Sequence, residues 1–62
     1  MIKPKLSLVG TDGNAFAILG QAKRAANRAG WKGRDWAKFS TEAQSGDYDH
    51  LLQTCMKYFD VE

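Results

Sequence analysis

Between Asn14 and Gly30 the apolar residues recur every three or four positions, and most of them are alanine. This spacing predicts an amphipathic helix, because residues three and four apart share one face of an α-helix. Asn14 or Asp12 is expected to cap its first turn, and Gly30 to end it. Small alanine side chains leave room for large neighbours, so we expect Trp31, Trp36 and Phe39 to pack there. The apolar stripe consists of Ala15, Phe16, Ile18, Leu19, Ala22, Ala25, Ala26 and Ala29.

The rest of the chain predicts two more helices. Residues 33–45 place Trp36, Phe39 and Ala43 on one face, and residues 47–59 follow a cap at Asp47 or Ser45. Residues 1–13 form an extended arm and a turn, with one short extended segment before Gly10. The predicted fold is therefore all-α, a single three-helix domain over residues 1–62. The sequence leaves open whether the tail, 60–62, pairs as a strand beside residues 6–9. The third apolar stripe consists of Tyr48, Leu51, Leu52, Cys55, Met56 and Phe59.

The length of 62 residues argues against an enzyme. A substrate pocket of about 300 to 1,000 Å³ would have to be cut from the same small core that supports the fold. We therefore expect no catalytic residues and no cofactor. The only cysteine, Cys55, is expected in the core, and the lack of disulfides favours a reducing cytoplasm. No apolar run is long enough for a membrane span, so no membrane partner is expected.

Three local features have structural explanations. Asp47, Asp49 and His50 carry metal-ligand groups, but on one helical turn they do not face one point, and helix capping explains both carboxylates. Residues 10–14 precede a helix as a phosphate loop does, but they contain Asp12 and no Gly-Lys-Ser/Thr follows them. Gly20, inside the first helix, is expected to lie in close contact with another backbone or ring. We therefore expect no metal site and no phosphate site.

The charges are sorted along the chain. Residues 23–38 carry six of the nine positive charges and a net charge of +5, whereas residues 39–62 have a net charge of −4. Such polarity would steer and orient a protein partner, and aromatic or arginine anchors would supply the affinity. A second, acidic surface could bind a basic partner or a second copy of the chain. The expected contacts are Arg28, Trp31, Lys32 and Arg34 on the first surface and Asp47, Tyr48 and Asp49 on the second.

Residues 22–41 resemble a helix-turn-helix motif. Ala26 and Gly30 stand four apart, as the small residue and the turn glycine of that motif do, and the aromatic residues fall at its buried positions. The resemblance implies DNA binding, and two amphipathic helices with solvated lysines are the structural alternative. Gly33 at the start of the second helix, and the lack of a preceding helix, depart from the common pattern. The DNA contacts implied are Arg24, Arg28, Lys32, Arg34 and Lys38.

Three segments, DGNAFAILG (12–20), SGDYDHLL (45–52) and YFDVE (58–62), resemble a family of short uncharacterised bacteriophage and mobile-element proteins. The resemblance covers nearly the whole chain and implies no activity. It implies a setting, because small phage proteins commonly act by binding. We therefore expect a cytoplasmic, non-enzymatic protein of a bacterial host that inhibits or modulates a host or phage protein, with a DNA-binding regulator as the alternative.

Overall fold

The computed structural model describes residues 3–10 and 12–62, and these residues form three α-helices and one pair of short strands. The elements are β1 (Lys5–Leu6), α1 (Ala15–Arg28), α2 (Gly33–Ala43), α3 (Tyr48–Tyr58) and β2 (Asp60–Val61). The predicted small three-helix domain is confirmed, and each helix ends within two residues of its predicted bounds. The predicted arm also includes Met1 and Ile2, and the predicted turn includes Thr11; these three lie outside the described residues.

The helix ends follow the capping residues of the sequence. The Asn14 side chain accepts a 2.8 Å hydrogen bond from the backbone N–H of Ala17, so Asn14 and not Asp12 caps α1. Gly30 follows α1 with φ +81°, a conformation that glycine adopts without a Cβ penalty. Asp47, not Ser45, caps α3, because its carboxylate accepts a 2.9 Å hydrogen bond from the N–H of His50.

The C-terminal tail does pair as a strand, because β2 lies parallel to β1. Lys5 lies opposite Asp60 and Leu6 opposite Val61, and the N–H of Asp60 donates to the carbonyl of Pro4 at 2.8 Å. The strands are only two residues long, shorter than the segment expected at 6–9. Leu6 is buried against the helices. This pairing brings the segment before α1 next to the end of α3, and it forms one side of the groove described below.

The core is a layer of aromatic rings packed over the alanine face of α1. Phe39 and Phe59 are fully buried, and their rings meet edge to face with centroids 5.2 Å apart. Trp31 stacks on Phe59 at 4.9 Å, and both tryptophans are half-buried at the core edge. The expectation that aromatic residues fill the space above the alanines is confirmed, and so is the burial of Cys55. The buried alanines are Ala22, Ala25, Ala26 and Ala43.

Several expectations about burial were wrong. Phe16 is 88% exposed, because it lies six residues before Ala22 and so roughly 120° round the axis from that buried residue. Gly20 faces open space, and a Cβ added to it would meet no described residue outside its own stretch of helix within 4 Å. The apolar stripes predicted from residue spacing were therefore wider than the helix faces that the core covers. Ala29, Tyr48 and Met56 are likewise exposed.

Candidate functional site

Two of the expected site residues, Trp31 and Lys38, lie in an open groove between the N-terminal arm, the α1–α2 turn, α2 and the end of α3. We call it the basic groove, because three lysines from three separate parts of the sequence line it. Its volume is about 600 Å³. The lining residues are Lys3, Pro4, Ala29, Trp31, Asp35, Lys38, Lys57 and Tyr58.

Glu42 of α2 binds two residues that line the basic groove, Lys57 and Tyr58. Its carboxylate forms a 2.7 Å ion pair with Lys57 and accepts a 2.7 Å hydrogen bond from the Tyr58 hydroxyl. These bonds lower the pKa of Glu42 below its ordinary value, because they stabilise the ionised carboxylate. The carboxylate in turn raises the pKa of Lys57 and that of Tyr58. Both α3 side chains are therefore held in position beside Trp31.

The other lysines of the basic groove are less constrained. Lys3 donates one hydrogen bond from Nζ to the backbone carbonyl of Met56 at 3.0 Å. Lys38 forms no ion pair with any residue that the structure describes. The one acidic side chain in the lining, Asp35, accepts a 2.9 Å hydrogen bond from the backbone N–H of Lys32, where it caps α2. The groove therefore has an excess of positive charge among its lining residues.

The remaining residues of the predicted basic surface lie outside this groove. Arg28, Lys32 and Arg34 are exposed but do not line it. Lys23 and Arg28 are five residues apart on α1, roughly 140° round the axis, so they leave that helix in different directions. Lys23 lies over the Trp36 ring at 4.8 Å, while Arg24 donates to Gln21 at 3.4 Å. The positive charges clustered in sequence are thus spread over more than one surface.

The expected acidic surface adjoins an apolar one. Tyr48 is 45% exposed, and its hydroxyl donates to the backbone carbonyl of Gly13, which ties the start of α3 to the turn before α1. Asp47 caps α3, and Asp49 accepts a 2.9 Å hydrogen bond from Gln53. Beside them lies a shallow groove of about 260 Å³, which we call the Phe16 surface. It is lined by Ala15, Phe16, Leu19, Ala43, Gln44, Gly46, Asp47, Tyr48 and Leu51.

The sequence did not single out Phe16, Lys3, Lys57 or Tyr58 as site residues. Phe16 carried a usable signal, since it lies roughly 120° round the helix axis from Ala22 and so away from the middle of the stripe. No signal in the sequence marked the three others. Lys3 and Lys57 come together only because β1 pairs with β2.

His50 and Cys55, the side chains best suited to catalysis or metal binding, have structural roles. The ring Nε2 of His50 lies 2.8 Å from the carbonyl oxygen of Glu42, so the imidazole connects the end of α2 to α3. Burial raises the pKa of the Cys55 thiol, which disfavours the reactive thiolate. Within residues 3–10 and 12–62, no three His, Cys, Asp or Glu side chains are placed to hold a metal ion. No helix in the same residues is long and apolar enough to cross a membrane.

Comparison with known proteins gave no match. No family model, no curated protein and no solved structure is significantly similar to this chain.

Proposed function

We propose that this chain is a small non-enzymatic protein that binds a protein partner through the Phe16 surface and thereby inhibits or modulates it. The resemblance of its sequence to phage and mobile-element proteins supports a phage or mobile-element origin and action in the bacterial cytoplasm. The observation that carries the proposal is the position of Phe16, a large aromatic residue 88% exposed on a regular helix.

The energetics of Phe16 favour a partner. An exposed phenylalanine contributes almost nothing to folding, whereas its full burial is worth about 2 to 3 kcal/mol. Aromatic residues are typical anchors of protein interfaces, and the half-exposed Tyr48 lies in the same groove. Ala15 and Leu19, both partly exposed, extend the apolar area beyond a single scattered side chain.

Hydrogen bonds hold the backbone on both sides of the Phe16 surface. Asn14 caps the helix turn that carries Phe16, and the hydrogen bond from Tyr48 to Gly13 fixes the other side. A preformed surface loses little conformational entropy on binding. Asp47 lies at the rim, where its charge would favour a partner with basic residues around an apolar contact.

The proposal is tested by affinity capture from bacterial lysate with the immobilised wild-type chain, Phe16→Ala and Met56→Ala. Met56 is a matched control, because it is 53% exposed and does not line the Phe16 surface. We expect one protein to bind wild type and Met56→Ala, to be lost with Phe16→Ala, and to bind directly once purified. Equal capture by all three variants would refute the proposal. Sedimentation of the free chain tests whether the partner is a second copy.

DNA binding is the second candidate, and the geometry of the α1–α2 connection favours it. Four residues, 29–32, join the two helices, and Gly30 has positive φ at the turn. Arg24, Arg28, Lys32, Arg34 and Lys38 are all exposed. This candidate predicts duplex binding at low salt that weakens steeply as salt is added. Gel shifts over a salt series, and nuclease treatment of the lysate, separate it from protein binding.

A further inference from the structure

We infer that the basic groove is a second binding site, and that its ligand is an acidic peptide segment with at least one apolar side chain. The inference does not depend on the Phe16 surface. It rests on three features of the groove: its charge, its apolar floor and the contacts that hold the aromatic rings of that floor.

The charge of the basic groove matches a ligand with a few carboxylates. Three lysines and one aspartate line it, and the carboxylate of Asp35 is already hydrogen-bonded to the N–H of Lys32. Lys38 has no ionic partner among the residues described, and Lys3 uses one of its three N–H donors on the Met56 carbonyl. These two ammonium groups are available to a ligand, whereas Lys57 is paired with Glu42.

The floor of the basic groove is apolar and aromatic. Trp31 and Tyr58 lie in it together with Pro4 and Ala29. Trp31 is held by its stacking on Phe59 at 4.9 Å, and Tyr58 by its hydrogen bond to Glu42. A leucine or phenylalanine of a bound peptide could therefore bury its side chain on rings that are already in place.

A nucleic acid fits this groove less well than a peptide. A strand brings one negative charge with every phosphate, and the groove offers an excess of only two positive charges in its lining, with Glu42 directly behind it. Asp35 would repel a continuous row of phosphates. A peptide segment with two or three carboxylates and apolar residues between them can pair with the lysines and pack its apolar side chains on the floor of the groove.

The test is an NMR titration of the ¹⁵N-labelled full chain with the blocked peptide Ac-Glu-Leu-Glu-Phe-Glu-NH₂ and its counterpart with glutamine at each glutamate. We expect the acidic peptide to shift the indole N–H of Trp31 and the backbone amides of Lys38 and Lys57. The neutral peptide should bind about tenfold more weakly. Equal affinity for the two peptides, or no shifts in the groove, would overturn the inference.

Lys38→Glu and Arg34→Glu form a matched pair of variants. Both change one exposed cation on α2 to an anion, but only Lys38 lines the basic groove. Lys38→Glu should weaken peptide binding roughly tenfold and Lys38→Gln roughly threefold, while Arg34→Glu stays within twofold of wild type. Equal weakening by Lys38→Glu and Arg34→Glu would contradict a localised site.

Two further measurements separate this site from the alternatives. A single strand of ten thymidines is titrated in parallel, and tighter binding of that strand in the groove would overturn the peptide assignment in favour of nucleic acid. Phe16→Ala should bind the acidic peptide as wild type does, since Phe16 does not line the groove. Failure of the Phe16 surface as a protein-binding site would leave this result unchanged.

Discussion

The contrast between Phe16 and Phe39 gives a quantitative test of the fold and of the proposed function together. Phe39 is fully buried, and Phe16 is 88% exposed. Full burial of a phenylalanine side chain is worth about 3 kcal/mol, so the eighth of Phe16 that is covered contributes about 0.4 kcal/mol. Alanine has the higher helix propensity, by about 0.5 kcal/mol, so the two terms nearly cancel. Phe16→Ala should therefore change the free energy of unfolding by less than about 0.5 kcal/mol.

Phe39→Ala should behave in the opposite way. Its ring contacts Trp31, Trp36, Tyr58 and Phe59, and removing it loses the transfer free energy and leaves a cavity, at a total cost of about 3 to 5 kcal/mol. A domain of this size has a total stability of about 3 to 9 kcal/mol, so this variant is at the limit of folding. Phe39→Leu keeps more of the volume and provides a milder variant for measurement.

The assay is urea unfolding followed by tryptophan fluorescence and by circular dichroism, at two protein concentrations. We expect Phe16→Ala to keep the urea midpoint of wild type, although it no longer binds the protein partner in the affinity capture. A loss of 2 kcal/mol or more in Phe16→Ala would refute the reasoning, because it would mean that the side chain is covered in solution. A midpoint that rises with protein concentration in wild type but not in Phe16→Ala would identify a second copy as the cover.

Three other predictions follow from single residues. Gly20→Ala should stabilise the protein by about 0.5 to 1 kcal/mol, because Gly20 is helical and has open space around it. Gly30→Ala should destabilise the protein by about 1 to 2 kcal/mol, because Gly30 has a positive φ. The reverse order of stabilities in urea unfolding would contradict this backbone geometry. The pKa of Glu42 is lowered from 4.5 in the folded state, so its ionised form stabilises the fold above that pH and this contribution is lost as the pH falls through the folded pKa. Wild type should thus have a higher thermal midpoint than Glu42→Gln at pH 7, and the difference between the two midpoints should narrow below pH 4.5. A difference that stays constant with pH would show that ionisation of Glu42 does not stabilise the fold. Because the Cys55 thiol is fully buried, and because burial also raises its pKa, a disulfide reagent should react with it at least a hundredfold more slowly in the folded chain than in urea, and comparable rates would show that the thiol is accessible.

The sequence predicted the helices of this protein because their determinants are local. The spacing of apolar residues, the caps at Asn14 and Asp47 and the glycine at Gly30 act within a few residues of one another. The same local signals identified the alanine face of α1 and the aromatic rings that cover it. They also placed Cys55 in the core, since its position on α3 repeats that of Leu51 one turn earlier.

The sequence did not predict where the core ends, because that boundary depends on how far each helix rotates against its neighbours. Phe16 and Met56 have apolar side chains three or four residues from other apolar positions, yet none of the described elements covers them. The expected contact of Gly20 was wrong for the same reason, as no other described element comes within 4 Å of a Cβ placed there.

Only the tertiary structure decided which charged residues act together. Lys3, Lys38 and Lys57 are far apart in sequence, and they line one groove because β1 pairs with β2 and because α2 packs against α3. Arg28 and Arg34, in contrast, are close in sequence to Trp31 but do not share its groove. Hydrogen bonds and caps within a helix are encoded in short segments, whereas a surface is formed by side chains from several segments. The helices were therefore determined by the sequence itself, and the strand pairing and the candidate binding surfaces by the tertiary structure.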